Sequence, residues 1–377
     1  MRLPKLFALL LLLLALPVAA EEILPRDYSP AERELLRELP PLLPRGASPP
    51  PTGVVRAAAE YEPNEGILVR WTAGQAALTE MIVKATTLDA RAKVWIVVNN
   101  ATTQNSATTT LTTAGANLSR VVWITAPSDS IWMRDYGPRF VYQNGRRVQI
   151  DHTYNRVTRP NDNAIPTVIS NLFGEPLYDT GLIHGGGNYH LFDDGPAYMT
   201  DLIVAENPGL SAADVIQRYR DFQGVDQRIT GAFPASFDST QHIDMWTLPA
   251  GPRTIIIGRY DPSAGVPHTV SEALAADKSA AGYTVIRTPG FRVNNTHFTY
   301  TNAVILNNLV LTCRFNNRPT ENAQAIAAFQ QAFPGRTIDS VDCTNIITLS
   351  GAIHCIVMHV PVAVDPQDMI FVSRFED

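Results

Sequence analysis

From about residue 54 onward, apolar runs of strand length alternate with longer stretches of helical length, and this alternation limits the fold more than any other feature. Residues 67–71, 94–98 and 121–124 read as strands, while 76–90 and 106–114 read as helices. Other strands come in tight pairs. Residues 140–142 and 148–150 flank Asn144-Gly145, and residues 303–306 and 310–312 flank Asn307-Asn308, both hairpin signals. Further helices are predicted near 211–222, 270–282 and 321–333. The result is an α/β chain with a rough recurrence of strand, strand, helix, strand, and hairpins mixed with crossovers exclude a plain doubly wound sheet.

The amino terminus specifies a compartment. Arg2 and Lys5 precede an apolar run over 6–16 that ends in Val18-Ala19-Ala20, a pattern too short for a membrane span and suited to cleavage near Ala20. We therefore expect residues 1–20 to be a signal peptide and the mature chain to be exported, periplasmic or extracellular. Cleavage takes the net charge from −6 to −8, which argues against nucleic acid as a partner. No second apolar run predicts a membrane span after cleavage. Of the three cysteines, at most two can pair after export. Cys313 and Cys343 are one candidate pair, and two buried free thiols are the equal alternative.

Residues 21–53 form a proline-rich arm ahead of the main domain, which we place at 54–364; residues 365–377 are an unassigned tail. Within the arm, Ser29-Pro30-Ala31-Glu32 carries the hydroxyl, first-turn proline and glutamate of a capping box, followed by Leu35, Leu36 and Leu39. One short helix is predicted there.

Four stretches carry chemistry. In Gln241-His242-Ile243-Asp244-Met245 polar and apolar residues alternate, so a strand would put His242 and Asp244 on one face as an acid-base pair. In Gly351-Ala352-Ile353-His354-Cys355 an extended chain would turn His354 away from Cys355, leaving His242 as the better base. Trp132-Met133-Arg134-Asp135-Tyr136-Gly137-Pro138 reads as a loop, with Asp135 paired locally. Gly185-Gly186-Gly187-Asn188 lacks the lysine and spacing of a phosphate cradle, and His184 and His190 beside it belong to no recognisable zinc pattern.

Taken in chain order, Trp132-Met133-Arg134-Asp135-Tyr136-Gly137-Pro138, Gly186-Gly187-Asn188-Tyr189, Gln241-His242-Ile243-Asp244, Tyr300-Thr301-Asn302 and Gly351-Ala352-Ile353-His354-Cys355 together resemble the bacterial peptidyl-arginine deiminase and agmatine deiminase family of guanidine-modifying enzymes. The resemblance spreads over most of residues 54–362. It implies a pentein-like, five-bladed α/β propeller of ββαβ units around a polar centre. It gives Asp135 and Asp244 the two edges of a guanidinium, His242 the acid-base role, Cys355 that of nucleophile, and Asn302 a further active-site place. Trp132 joins the substrate-binding residues. The implied reaction runs through a covalent thiouronium on Cys355, and His242 protonates the departing ammonia and then activates water. No metal or organic cofactor has a role in it.

Tyr154-Asn155-Arg156-Val157-Thr158-Arg159-Pro160-Asn161-Asp162 resembles the peptidyl branch, in which two arginines hold the carboxylate of a C-terminal arginine. That assigns Arg156 and Arg159 to substrate binding, with Arg159 in the better-kept context. The expected activity is conversion of peptidyl or free arginine to citrulline and ammonia. Agmatine deimination to N-carbamoylputrescine is the alternative, as is a catalytically silent arginine-binding protein. An amidino-group transferase would keep the same residues, and a papain-like protease would order its cysteine and histidine the other way round.

Overall fold

The computed structural model describes residues 23–365; the expected signal peptide over 1–20 and the residues after 365 lie outside this range. Among the described residues the strands form five small sheets. Each contains an antiparallel strand pair whose second member pairs in parallel with a third strand, after a helical crossover. Arg139–Gln143, Arg146–Tyr154 and Leu177–His184 form one such unit around helix Ile165–Phe173, with Val55–Ala57 added at its edge. His190–Leu191, Pro196–Thr200 and Asp226–Thr230 follow, with Ala212–Gln223 as the crossover.

The same order recurs twice more. Thr247–Gly251, Thr254–Arg259 and Thr284–Val293 enclose helix Val266–Ala280. Val304–Leu306, Leu309–Arg314 and Thr337–Asp342 enclose helix Pro319–Ala332. The fifth sheet joins both ends of the domain, since Met358–Pro361 pairs antiparallel with Asn64–Arg70, which runs parallel to Lys93–Val98. Val121–Thr125 completes it. The recurrence expected from the sequence is therefore present, with extra edge strands.

Local chemistry explains these elements. In helix Ala76–Leu88 the buried residues are Ala77, Leu78, Met81, Ile82, Ala85 and Thr86, a stripe that repeats every third or fourth residue. Truncating a fully buried leucine such as Leu78 to alanine would cost about 2–5 kcal/mol. Val94 to Val98 are all buried because this central parallel strand is covered on both faces. The hairpin at Asn144-Gly145 turns with φ of 49° and 77°, and Asn307 turns the second hairpin at φ 48°, the left-handed geometry that asparagine and glycine tolerate best.

The arm departs from its sequence reading as a separate segment. Helix Pro30–Leu35 forms with its complete Ser29–Glu32 capping box, as predicted. The segment around it packs into the domain instead of linking to it: Arg26 is fully buried, and Arg45 pairs with Asp151 and Asp179. Cys313 and Cys343 are joined in a disulfide, which settles the choice between a pair and two free thiols. No helix among the described residues is long and apolar enough to cross a membrane.

Candidate active site

Three turns converge on one buried point, and all three differ from the shapes expected of them. Residues 239–246 are not a strand. Gln241 adopts φ 56°, which breaks the extended chain, and His242 then caps a single 3-10 turn, Ile243–Met245. Cys355 likewise lies in a 3-10 turn, His354–Ile356, not in an extended run. The Trp132 motif contains a one-turn helix, Met133–Tyr136, where a loop was expected. Short turns of this kind are set by tertiary contacts, since no local periodicity specifies them.

The glycine run ties the turns together. The Gly187 N–H donates to Asp135 Oδ1 at 3.1 Å, and the Gly187 carbonyl accepts from Asp244 N at 3.3 Å. A Cβ on Gly187 would stand 2.7 Å from an Asp244 oxygen and 2.9 Å from one of Asp135. Close backbone approach, not phosphate binding, explains this glycine. At Gly351 a Cβ would come within 2.6 Å of the Trp132 ring and 3.1 Å of Cys355 Sγ, so that position also needs glycine.

A guanidinium occupies the point of convergence, and it belongs to Arg26. Its Nε and Nη2 donate to the two oxygens of Asp135 at 2.7 and 2.8 Å. Nη1 and Nη2 donate to the two oxygens of Asp244, each at 3.2 Å. Nη1 also donates to Cys355 Sγ at 2.6 Å, and Nη2 lies 2.6 Å from His242 Nδ1. Asp135, Asp244, His242 and Cys355 are thus brought together, each touching a different part of one planar cation. Carboxylates that accept in the plane of a guanidinium are its natural partners. Asn302 completes the group, donating from Nδ2 to Cys355 Sγ at 3.1 Å and accepting the His354 N–H at 3.1 Å.

Electrostatics follows from this packing. Burial by itself would raise the Asp135 carboxyl, but the Arg26 guanidinium overrides it and holds that group well below the usual carboxylate range. Asp244 is likewise lowered against its burial, by Arg26 and then by the hydrogen bond from His354. Burial pushes the Cys355 thiol up, and Arg26 is the strongest influence drawing it back. A cation in this site therefore favours the thiolate, the form that attacks carbon.

His354 does turn away from Cys355, though for a different reason than a strand face. Its Nδ1 meets Asp244 Oδ2 at 2.9 Å, and its Nε2 meets the Glu60 carboxylate at 3.0 Å. It orients Asp244. Glu60, His190 and His354 have potential metal-ligand atoms within 4.8 Å of one another, a grouping no sequence motif announced. Arg134 Nη1 already supplies a cation there, 2.6 Å from Glu60, and burial lowers His190 to about 3.

The remaining substrate-binding candidates surround the backbone of Arg26. Trp132 Nε1 donates to the Leu24 carbonyl at 3.0 Å, and Arg156 Nε donates to the Arg26 carbonyl at 3.0 Å. Arg159 Nη2 donates to the Pro25 and Asp27 carbonyls at 2.8 and 2.9 Å. Its Nε also donates to Glu32 Oε1 at 2.8 Å. In place of the C-terminal carboxylate expected on this arginine pair, main-chain carbonyls and the Glu32 carboxylate occupy it. Sequence reasoning missed Arg26 and Glu60 as members of the site. For Glu32 the capping box was a signal, but it spoke only of the helix.

A largely buried thiol, imidazole and two carboxylates arranged around a guanidinium define a hydrolase acting on C–N bonds of linear amidines. The chain belongs to the Porphyromonas-type peptidyl-arginine deiminase family, whose model matches residues 56–361. A protein of Marinomonas sp., provisionally named agmatine deiminase, is 25% identical over 361 residues, covering 81% of this chain and 94% of that protein. Two solved structures share the fold. One is a provisionally named arginine deiminase from Porphyromonas gingivalis, at a TM-score of 0.71 and 19% identity, covering 83% of this chain and all (100%) of that one. The other is the agmatine deiminase of Enterococcus faecalis, also at 0.71 and 19%, covering 82% and 96%.

Proposed function

We propose that the chain hydrolyses the guanidinium of an arginine-like substrate to a urea and ammonia, with Cys355 forming a covalent thiouronium. The observation that carries this reading is the set of contacts around Arg26, which leaves a guanidinium touching nucleophile, imidazole and both carboxylates at once. Asp135 and Asp244 hold the cation, Cys355 attacks its central carbon, and His242 protonates the nitrogen that leaves and then takes a proton from water. Asn302 fixes the sulfur. In this reading the five sheets are blades of a propeller, and the site is its centre.

Two substrates compete, and different observations favour each. The names borne by the Marinomonas and Enterococcus relatives favour agmatine. The bonds from Trp132, Arg156 and Arg159 to main-chain carbonyls favour arginine within a peptide, because agmatine has no carbonyl to offer them. Our reading is a deiminase that accepts agmatine through the guanidinium pocket alone and uses the three donors when the arginine is peptide-bound. We also propose that the mature chain works outside the cytoplasm, which the apolar leader and the disulfide both support. The deciding assay measures ammonia and urea-type product from free arginine, agmatine, and peptides with internal or C-terminal arginine. Turnover of agmatine with none of any peptide would remove the peptidyl reading, and turnover of nothing would remove both.

A further inference from the structure

We propose that Arg26 is this enzyme's own substrate, deiminated in cis by Cys355, and that its conversion frees the site for other guanidines. The proposal rests on the deiminase reading above and goes beyond it by naming the first molecule to be turned over.

Three observations carry it. The first is that Arg26 does more than neutralise carboxylates. A purely structural arginine needs acceptors, yet this one also places Nη1 on Cys355 Sγ and Nη2 beside His242 Nδ1, each at 2.6 Å. The second is that the main chain on both sides is held as a bound peptide would be. The Arg26 N–H donates to the Leu349 carbonyl at 2.8 Å, and the carbonyls of Leu24, Pro25, Arg26 and Asp27 all receive donors from Trp132, Arg156 or Arg159. The third is that Glu32, locked by its own helix cap, fastens the arm to Arg159 just after the reactive residue. A tethered side chain in this geometry reacts at a high effective concentration.

The step balances without any further reagent. The Cys355 thiolate forms a C–S bond to Arg26 Cζ, and Nη2 leaves as ammonia with a proton from His242. Water then adds its oxygen to Cζ, one proton returns to His242 and the other passes to ammonia, and the C–S bond breaks. Guanidinium and water become a neutral ureido group and ammonium, and the thiolate is restored. The product has lost the charge that held it. Asp135 and Asp244, both lowered chiefly by Arg26 against their own burial, would then face an uncharged group, and the arm loses its electrostatic anchor. Burial of both carboxylates without a cation favours entry of a new one.

The test follows residue 26 by peptide mass mapping of the full-length chain, beside Cys355→Ser, Arg26→Lys and Arg26→Ala. Citrulline at position 26 in the active chain and arginine in Cys355→Ser is the expected result, with a half-time that does not change with protein concentration. Added peptidyl arginine should show a lag matching that conversion, Arg26→Ala should show none, and Arg26→Lys, whose cation cannot be converted, should stay blocked. Arginine persisting at position 26 while the chain deiminates added substrate would overturn the proposal and leave the deiminase reading standing. Conversion that accelerates with concentration, or that appears in Cys355→Ser mixed with active chain, would overturn the cis assignment. No ammonia from any guanidine with Arg26→Ala, shown to be folded, would instead remove the deiminase reading, and the proposal with it.

Discussion

Arg26 and Asp135, 109 residues apart in sequence, meet through two parallel bonds, Nε to Oδ2 at 2.7 Å and Nη2 to Oδ1 at 2.8 Å. The pair is fully buried, and Asp244 grips the adjoining edge of the same cation. Removing one member of a buried pair leaves the other charge uncompensated, at a cost of about 3–5 kcal/mol. A site of two carboxylates is therefore built to be filled by a cation.

The cysteines should separate cleanly. Cys355→Ser is expected to abolish ammonia release without lowering Tm, because a hydroxyl fits where the thiol was. Cys313→Ser breaks the bond to Cys343 across a separation of 30 residues. Closing a loop of that size stabilises a protein by about 3–4 kcal/mol in the chain-entropy account. Its Tm should fall while the folded fraction keeps its kcat. Loss of kcat in folded Cys313→Ser would show that the nucleophile has been misassigned.

The two histidines should differ in kind. His242 lies against Arg26 Nη2, the position of the proposed leaving nitrogen, so His242→Ala should lower kcat by about 100- to 10,000-fold, the usual worth of acid-base catalysis. His354 bridges Asp244 and Glu60, so His354→Ala should act through the orientation of Asp244 and appear mainly in KM. Steady-state kinetics with agmatine decides the matter. A larger fall in kcat for His354→Ala than for His242→Ala would exchange their roles.

Substrate choice should depend on Arg156. With Arg26→Ala as background, so that the guanidinium pocket is open, Arg156→Ala removes the donor that meets the residue 26 carbonyl and that a peptide substrate is proposed to use. A charge-assisted hydrogen bond is worth about 1.5–3 kcal/mol, so kcat/KM for a peptide arginine should fall by roughly 10- to 150-fold. Agmatine should be nearly unaffected. Equal losses on the two substrates would mean that Arg156 serves the fold.

Acid should undock the arm. Burial would raise Glu32, but the bonds from Arg159 and Thr158 outweigh it and bring its pKa from 4.5 to about 2. A carboxylate lowered on docking contributes stability that is complete above its free value and is lost as pH falls through the lowered one. Asp135 and Asp244 are lowered in the same direction, so the signs agree. Pepsin should therefore begin to cut the arm near Leu35 as the pH drops from 4.5 toward 2. In Glu32→Gln the cutting should begin at higher pH, and an unchanged profile would show that Glu32 does not anchor the arm.

Much of this was legible in the sequence because it depends on local patterns. Hydrophobic spacing marked the crossover helices, Asn144-Gly145 and Asn307-Asn308 marked hairpins, and Ser29 with Glu32 marked a helix start. The motifs around Asp135, His242, Asn302 and Cys355 carried a resemblance that picked out residues now seen in contact. Tertiary structure alone decided the shapes of the His242 and Cys355 turns, since both are single 3-10 turns held by neighbours hundreds of atoms away along the chain. It alone decided the disulfide, because two cysteines pair by the distance between them and not by their spacing in sequence. It also decided the place of Arg26, which nothing in its neighbourhood distinguishes from any other arginine before an aspartate. A guanidinium is recognised by the field of carboxylates around it, and those carboxylates come from residues 135 and 244, brought together only when the sheets assemble.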